Sequence, residues 1–302
     1  MGASGVSFQK EEKLLMVIYM LSALGLLTLF FAYIFIADFI KNRSKLSKKS
    51  WGLFLGIGFI TNFFDTLGIG SFAPTTAIFK LYKLVSDRLI PGTLNTGDTI
   101  PVVLQAFIFI TIIRVEPITL IGMIFAATIG AVLGARIITK LSERKIQLGM
   151  GFALFAVSFV IFAGLMNWFP IGGEAIGLKG GKLLFAIVSN FVLGALMTIG
   201  VGNYAPCMAL IYALGLSPKV AFPIMMGSSA FLMPAASIKF VKEEAQDRKA
   251  SMSLTLAGSV GVSIAAYIIK SLPLNILKWI VMVVVLYTSA VMIKSAKKKS
   301  VS

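Results

Sequence analysis

The sequence predicts an all-α polytopic membrane protein. Two inverted-topology repeats, each opening with a broken helix pair, follow one extra N-terminal transmembrane helix. Three observations support this fold class: an apolar composition, a glycine-proline string that occurs twice, and basic residues concentrated in short loops. Of the 302 residues, 58% are apolar and 13% charged, and the mean hydropathy is +0.93. Soluble domains carry roughly 25% charged residues, and several apolar runs here approach the ~20 residues that span a bilayer.

The charge pattern narrows the function classes. The net charge is +16, but the basic residues lie in short loops and at the C-terminus, which the positive-inside rule explains better than nucleic-acid binding does. The chain has no histidine and one cysteine, Cys207, so it contains no Cys/His metal spacing and no internal disulfide. We therefore expect no cofactor, no metal and no nucleic-acid partner. The expected partners are the lipid bilayer and a small solute, and a homo-oligomer is left open.

Residues 1–50 are predicted to form the extra helix, over Lys13–Ile40, and a basic loop. Residues 51–166 form the first repeat. A polar connection, Ser86–Thr93, is expected within it, after the broken pair. The apolar segments of this repeat are Trp51–Leu67, Ala73–Leu84, Val102–Ile113, Ile118–Ile138 and Leu148–Met166.

A glycine-rich linker, residues 167–182, is predicted to lie outside the cytoplasm and to separate the halves. The second repeat and a basic tail occupy residues 183–302. Its third segment is expected to open at Pro223 and to end near Lys239. The other segments are Phe185–Ile199, Met208–Leu214, Ser251–Ile269 and Ile276–Met292.

The basic loops predict the orientation. Placing Lys41–Lys49, Lys140–Lys145, Lys242–Lys249 and the lysine tail inside gives each half an odd number of crossings. An odd number inverts the second half relative to the first. The N-terminus is then outside and the C-terminus cytoplasmic, in a bacterial-type inner (cytoplasmic) membrane. The pattern does not decide whether each broken pair crosses fully or is re-entrant.

The duplicated string interrupts an apolar segment in each half. It reads Gly68-Ile69-Gly70-Ser71-Phe72-Ala73-Pro74 and then Gly200-Val201-Gly202-Asn203-Tyr204-Ala205-Pro206. One copy alone would be explained by close helix crossing at glycine. Duplication together with proline and polar residues favours a transporter's binding site at the break.

The chemistry of these breaks suits a small anion. A helix that begins after a glycine pair points unpaired backbone N–H groups, and the positive end of its dipole, into the gap. A second matched triplet, Gly97-Asp98-Thr99 against Gly227-Ser228-Ser229, flanks the breaks. The candidate substrate-binding residues are Gly68, Gly70, Ser71, Thr75, Thr99, Gly200, Gly202, Asn203, Ser228 and Ser229.

Asp65 lies in an apolar segment, where an acidic residue indicates function by default. It is a candidate coupling or gating residue together with Asn62. Its counterpart in the second half is Met197. Two interpretations stay open: Asp65 carries a proton, or it braces the break through Asn62 or Thr66. Asp98 is expected to cap the following helix rather than to bind a ligand.

These motifs resemble the TauE/SafE sulfite-exporter family, also called the toluene-sulfonate uptake permeases. The resemblance covers Trp51 to Met292 and rests on the glycine-rich breaks and the two triplets, which are similar to the family's Gly-Thr-Ser pattern. Many members have a longer glycine run where this chain has Gly-x-Gly-Ser and Gly-x-Gly-Asn. The resemblance implies movement of sulfite, sulfonates or related small anions, coupled to protons.

The sequence therefore predicts a secondary transporter, a permease for a small anion that works by alternating access. The alternative is a cation or proton-linked carrier that uses Asp65 and Asp98 as ligands. An enzyme is not expected, because two acids without histidine or a metal motif do not make up a set of catalytic residues. The particular anion and the direction of transport do not follow from the residues.

Overall fold

The computed structural model describes residues 3–168, 173–200, 202–268 and 274–298. Residues 169–172 of the predicted linker, Val201, Ile269 and the tail beyond Lys298 lie outside the described residues. The described residues form helices joined by loops, with no strand in the described ranges. The helices are α1 (Ala3–Lys41), α2 (Trp51–Thr66), α3 (Phe72–Leu81), α4 (Ile90–Gly97), α5 (Thr99–Ile112), α6 (Pro117–Ile138), α7 (Glu143–Leu165), α8 (Gly180–Met197), α9 (Tyr204–Ala213), α10 (Pro218–Lys242), α11 (Arg248–Ile268) and α12 (Leu274–Lys298).

Six helices in the described part of the chain are long and apolar enough to cross a membrane. A seventh span results if α4 and α5, which bend by 43° around Asp98, count as one. The prediction of a multi-pass helical membrane protein is confirmed at this level. The six spans are Leu15–Lys41, Pro117–Ile138, Glu143–Leu165, Gly180–Met197, Pro218–Lys242 and Arg248–Tyr267.

Two helices differ from the sequence-based expectation. The expected polar connection ends in a buried helix, α4, which has proline in its first turn and whose eight residues are all buried. Tertiary burial there outweighs weak helix propensity. The segment expected to open at Pro223 instead begins at Pro218 and continues through Pro223 and Pro234. Neighbouring helices can satisfy the backbone groups that a proline frees within a membrane helix.

Three helix pairs make the largest contacts: α2 with α11, α6 with α8, and α7 with α12. Glycine permits the close approach in the first two. A Cβ added at Gly130 would lie 2.0 Å from the Phe191 carbonyl oxygen, and one at Gly261 would lie 2.5 Å from that of Phe59. In lipid the hydrophobic effect does not drive helices together. Small residues let the helix backbones approach closely enough for van der Waals packing to hold them. Helix α10 packs at the centre, against α1, α4, α5, α6 and α9.

The extra helix α1 packs on α10 and α5 along one side and leaves the other uncovered. Phe31 and Phe35 are buried, whereas Leu26 and Tyr33 are exposed to the surroundings of the helix bundle. An ion pair fixes the C-terminal end of α1, because Arg248 on α11 donates to both oxygens of Asp38 at 2.7 and 3.0 Å. Thus α1 is fastened to the second half of the chain, although it precedes the first.

We predict that Gly130→Ala destabilises the protein by about 1–3 kcal/mol, the usual cost of overpacking. The added methyl would meet the Phe191 carbonyl on α8. The matched control is Gly56→Ala on α2, where nothing lies within 4 Å of the added carbon. Thermal unfolding in detergent should show a lower Tm for the first variant and an equal or slightly higher one for the control, because alanine favours a helix. Equal Tm values for the two variants would contradict this packing.

Candidate functional site

The two glycine strings lie between helices in the structure. Helix α2 ends at Thr66 and α3 begins at Phe72, while α8 ends at Met197 and α9 begins at Tyr204. The first glycine of each string has a positive φ, 84° at Gly68 and 93° at Gly200. That left-handed conformation strains any residue with a Cβ, so these turns depend on glycine.

The two breaks face each other across one small cavity. A Cβ at Gly202 would lie 3.5 Å from the Phe72 Cβ, and one at Gly70 would lie 4.0 Å from the Tyr204 Cβ. The space between them is on the order of one water molecule. Its walls are Asp65, Gly70, Ser71, Phe72, Val102, Met197, Gly202, Asn203 and Tyr204.

Asp65 binds the start of α3 and reaches across to the second half. Its Oδ1 accepts from the Ser71 backbone N–H at 2.5 Å, and its Oδ2 accepts from the Gln105 side chain at 2.7 Å. The Tyr204 hydroxyl donates to the same Gln105 amide at 2.7 Å. Sequence analysis missed Gln105 and Tyr204 as partners. The expected brace through Asn62 or Thr66 is not what the structure has, because neither residue hydrogen-bonds Asp65 among the described contacts.

Asp98 is a second fully buried carboxylate beside the first. It accepts from the Asn62 side chain at 2.9 Å and from the Ser71 hydroxyl at 3.1 Å. Asp98 occupies the position directly before α5, as expected, but its side chain makes no capping hydrogen bond to that helix. Ser71 therefore bridges the two acids, one through its backbone N–H and the other through its hydroxyl.

Neither carboxylate has a cationic partner among the described residues, whose four ion pairs lie elsewhere. An ionised carboxylate is costly to bury without an opposite charge. Asp65 and Asp98 can meet that cost by holding protons or by binding a cation. Within the described residues no group of three His, Cys, Asp or Glu side chains is arranged to hold a metal ion.

The second break has no acid, but it has a neutral polar side chain, Asn203, without a hydrogen-bond partner among the described residues. Asn203 precedes α9 and is 2% exposed, and neither its Oδ1 nor its Nδ2 has a hydrogen-bond partner in the described part of the chain. The position that matches Asp65 is Met197, which also lines the cavity. The cavity thus has hydrogen-bonding capacity left over on the α9 side.

The structure brings together some of the predicted site residues and leaves others apart. Asp65, Gly70, Ser71, Gly202 and Asn203 line the cavity. The remaining candidates do not line it and have other neighbours. Gly68 packs on Phe222, Gly200 on Met150, Thr75 donates to the Ser71 carbonyl, Thr99 to the Asn95 carbonyl, Ser228 accepts from Asn190, and Ser229 lies 3.7 Å from the Met197 sulfur.

A sequence signal for Gln105 existed. It is the one amide side chain in α5, whose other residues are apolar except for Thr99 and Thr111. A polar residue inside a membrane helix marks a candidate site. Its partners could not be read from the sequence, because Asp65 lies 40 positions and Tyr204 lies 99 positions away.

We predict that Gln105→Leu and Tyr204→Phe are not additive. Gln105→Leu removes the hydrogen bonds that Gln105 makes with the Asp65 Oδ2 and with the Tyr204 hydroxyl, and leaving a buried polar group without its partner costs about 1–3 kcal/mol. In the Tyr204→Phe background one of those groups is already gone, so the double variant should lose less stability than the sum. The control pairs Tyr204→Phe with Thr111→Val, an exposed position on the same helix. If the losses in free energy of unfolding are additive for both pairs, the hydrogen bonds that link Tyr204, Gln105 and Asp65 are contradicted.

The whole chain was compared with known proteins. No protein-family model, no curated protein and no solved structure matches it. The resemblance to the sulfite-exporter family therefore stays a prediction that rests on the residues that carry it.

Proposed function

We propose that this protein is a secondary transporter that moves a small anion together with protons. One observation carries the proposal: both glycine breaks line a single cavity, with Asp65 on the α3 side and, on the α9 side, the Asn203 amide, which is unpaired among the described residues. Irregular backbone at membrane depth is tolerated where it lines a cavity or is buried in protein. Broken helices at matching positions of two halves are the usual place of a transporter's site.

The packing supports two inverted repeats, residues 51–166 and 183–302. If α2, α3, α4–α5, α6 and α7 correspond in order to α8, α9, α10, α11 and α12, the larger contacts recur with their partners exchanged. The pair α2–α11 corresponds to α8–α6, and α3–α12 corresponds to α9–α7. Similarly, a Cβ at Gly97 would meet Leu254 on α11, and one at Gly227 would meet Ile124 on α6. Such an exchange is expected when two repeats are related by a pseudo-two-fold axis.

The acids give a physical reason for coupling to protons. An anion in this cavity would lie beside Asp65 and close to Asp98, which is linked to it through Ser71. Two ionised carboxylates repel an anion strongly where water is scarce. Protonation removes that repulsion, so binding of the anion and binding of protons favour each other.

Transport requires these helices to move. The cavity has room for about one water, so sulfite or a sulfonate does not fit until the helices around the breaks separate. The turns at Gly68 and Gly70 join α2 to α3, the turn at Gly200 joins α8 to α9, and both are suitable hinges. Alternating access in a bacterial-type cytoplasmic membrane, with the N-terminus outside, belongs to this proposal.

A second candidate is a cation carrier. It is favoured by a specific observation, the two buried carboxylates that share Ser71 and lack an ion pair among the described residues. Oxygen ligands of this type suit a small hard cation. The unpaired Asn203 amide and the start of α9 would then have no direct role, which is why we rank this function second.

The sign of the pH dependence distinguishes the two candidates. Binding of sulfite, thiosulfate and methanesulfonate to the purified protein should tighten as the pH falls, because protons neutralise the acids beside the anion. Asp65→Asn should reduce the change in anion affinity between high and low pH. The reduction should be a factor on the order of ten in affinity, the usual size of a coupling between two ligands. Calorimetry or a thermal-shift assay, in which a ligand that binds the folded state raises apparent stability, measures both effects.

The control is Glu174→Gln, which removes an exposed acid that does not line the cavity. It should leave the pH dependence as in the wild type. Sodium or potassium binding that weakens as the pH falls, together with no binding of any of the three anions, would reject the anion proposal and favour the cation carrier. Anion binding with the same pH dependence in Asp65→Asn would remove Asp65 as a coupling group.

A further inference from the structure

The two breaks are duplicated in sequence but not in chemistry. Three residues before the first glycine of each break stands Asp65 in the first half and Met197 in the second. We propose that the first break is occupied by the protein's own carboxylate, Asp65, and that the substrate anion binds at the second break, at the start of α9. This inference rests on the proposed function and assigns the anion to one of the two helix starts.

At the first break the carboxylate already makes the contacts that a bound anion would make. Its Oδ1 accepts from the Ser71 backbone N–H directly before α3. The N-terminus of a helix binds anions through such backbone groups and through its dipole. Asp65 is 2% exposed and lines the cavity, so an external anion would compete with a tethered one.

At the second break the same place is open. The Met197 side chain has no oxygen that could accept a hydrogen bond as the Asp65 carboxylate does, and its sulfur lies near the Ser229 hydroxyl. Helix α9 has ten residues, and its start faces the cavity through Gly202 and Asn203. The first backbone N–H groups of a helix have no partner within it.

An independent observation points to a ligand there. The Asn203 side chain is 2% exposed, lines the cavity, and has no partner for Oδ1 or Nδ2 within the described chain. A buried amide without hydrogen bonds is unfavourable and requires an explanation. An oxyanion that accepts from Nδ2 and from the N–H groups at the start of α9 would supply one.

The test moves a carboxylate to the second break. Met197→Asp places an acid where Asp65 stands in the first half, and Met197→Asn is its uncharged counterpart of nearly equal size. Sulfite, thiosulfate and methanesulfonate serve as probes at neutral pH. We expect Met197→Asp to bind the probe anion at least about tenfold more weakly than Met197→Asn does, and the difference to shrink at acidic pH as the new acid takes a proton.

A second variant covers the case in which a charge at position 197 prevents folding. Asn203→Asp keeps the shape of the side chain and is a favourable residue before a helix, so the variant should fold. We expect it to lose anion binding at neutral pH to the same degree. Size-exclusion profiles and Tm values establish that each variant is folded.

The outcomes separate this inference from the function on which it rests. If the wild type binds an anion and both aspartate variants bind it as tightly as wild type, the α9 assignment is overturned and the transporter proposal stands. If the wild type binds none of the three anions, the proposed function fails and the assignment fails with it. Selective loss of binding in the folded aspartate variants supports the α9 site.

Discussion

The structure depends on how one serine joins two buried acids. Ser71 donates its backbone N–H to Asp65 on α2 and its hydroxyl to Asp98, which stands between α4 and α5. These contacts bind the end of α2, the start of α3 and the α4–α5 bend into one unit. The carboxylates need such partners, because a buried polar group without hydrogen bonds costs more than an ordinary hydrogen bond contributes. The geometry of the first break is thus held by its acids as well as by its glycines.

The same network reaches the other half of the chain. Gln105 donates to Asp65 and accepts from Tyr204, the first residue of α9, so hydrogen bonds run from one break to the other. Close packing makes the distances short enough. Gly194 and Gly130 bring α6 and α8 together, and Gly58 and Gly261 do the same for α2 and α11. These direct contacts give a physical route by which a change at one break can reach the other, which the proposed alternating-access mechanism requires.

Sequence reasoning succeeded where membrane physics constrains single segments. Apolar runs such as Ile118–Ile138 became helices because every backbone group in lipid needs an internal partner. The breaks were visible because a positive φ at Gly68 and Gly200 demands glycine. The partners of Asp65 and Asp98 were not visible, since each pairing depends on how distant helices pack. Asn62, for example, was expected beside Asp65 and instead donates to Asp98, 36 positions along the chain. Helix α4 was missed for the same reason, because its stability comes from burial and not from its own residues.

The difference between Asp65 and Met197 has a consequence for any mechanism that couples an anion to protons. Two copies of Asp65 would fill both helix starts with tethered carboxylates and would leave no place for a substrate. Two copies of Met197 would leave two anion sites but would remove the carboxylate that lines the cavity, and Asp98, which does not line it, would be left as the nearest acid. One acid and one open helix start, facing each other across a cavity the size of a water molecule, put the proton and the anion within direct electrostatic reach. On the proposed mechanism, the duplicated framework supplies the two helix starts, and the acid that stands at position 65 but not at position 197 supplies the coupling.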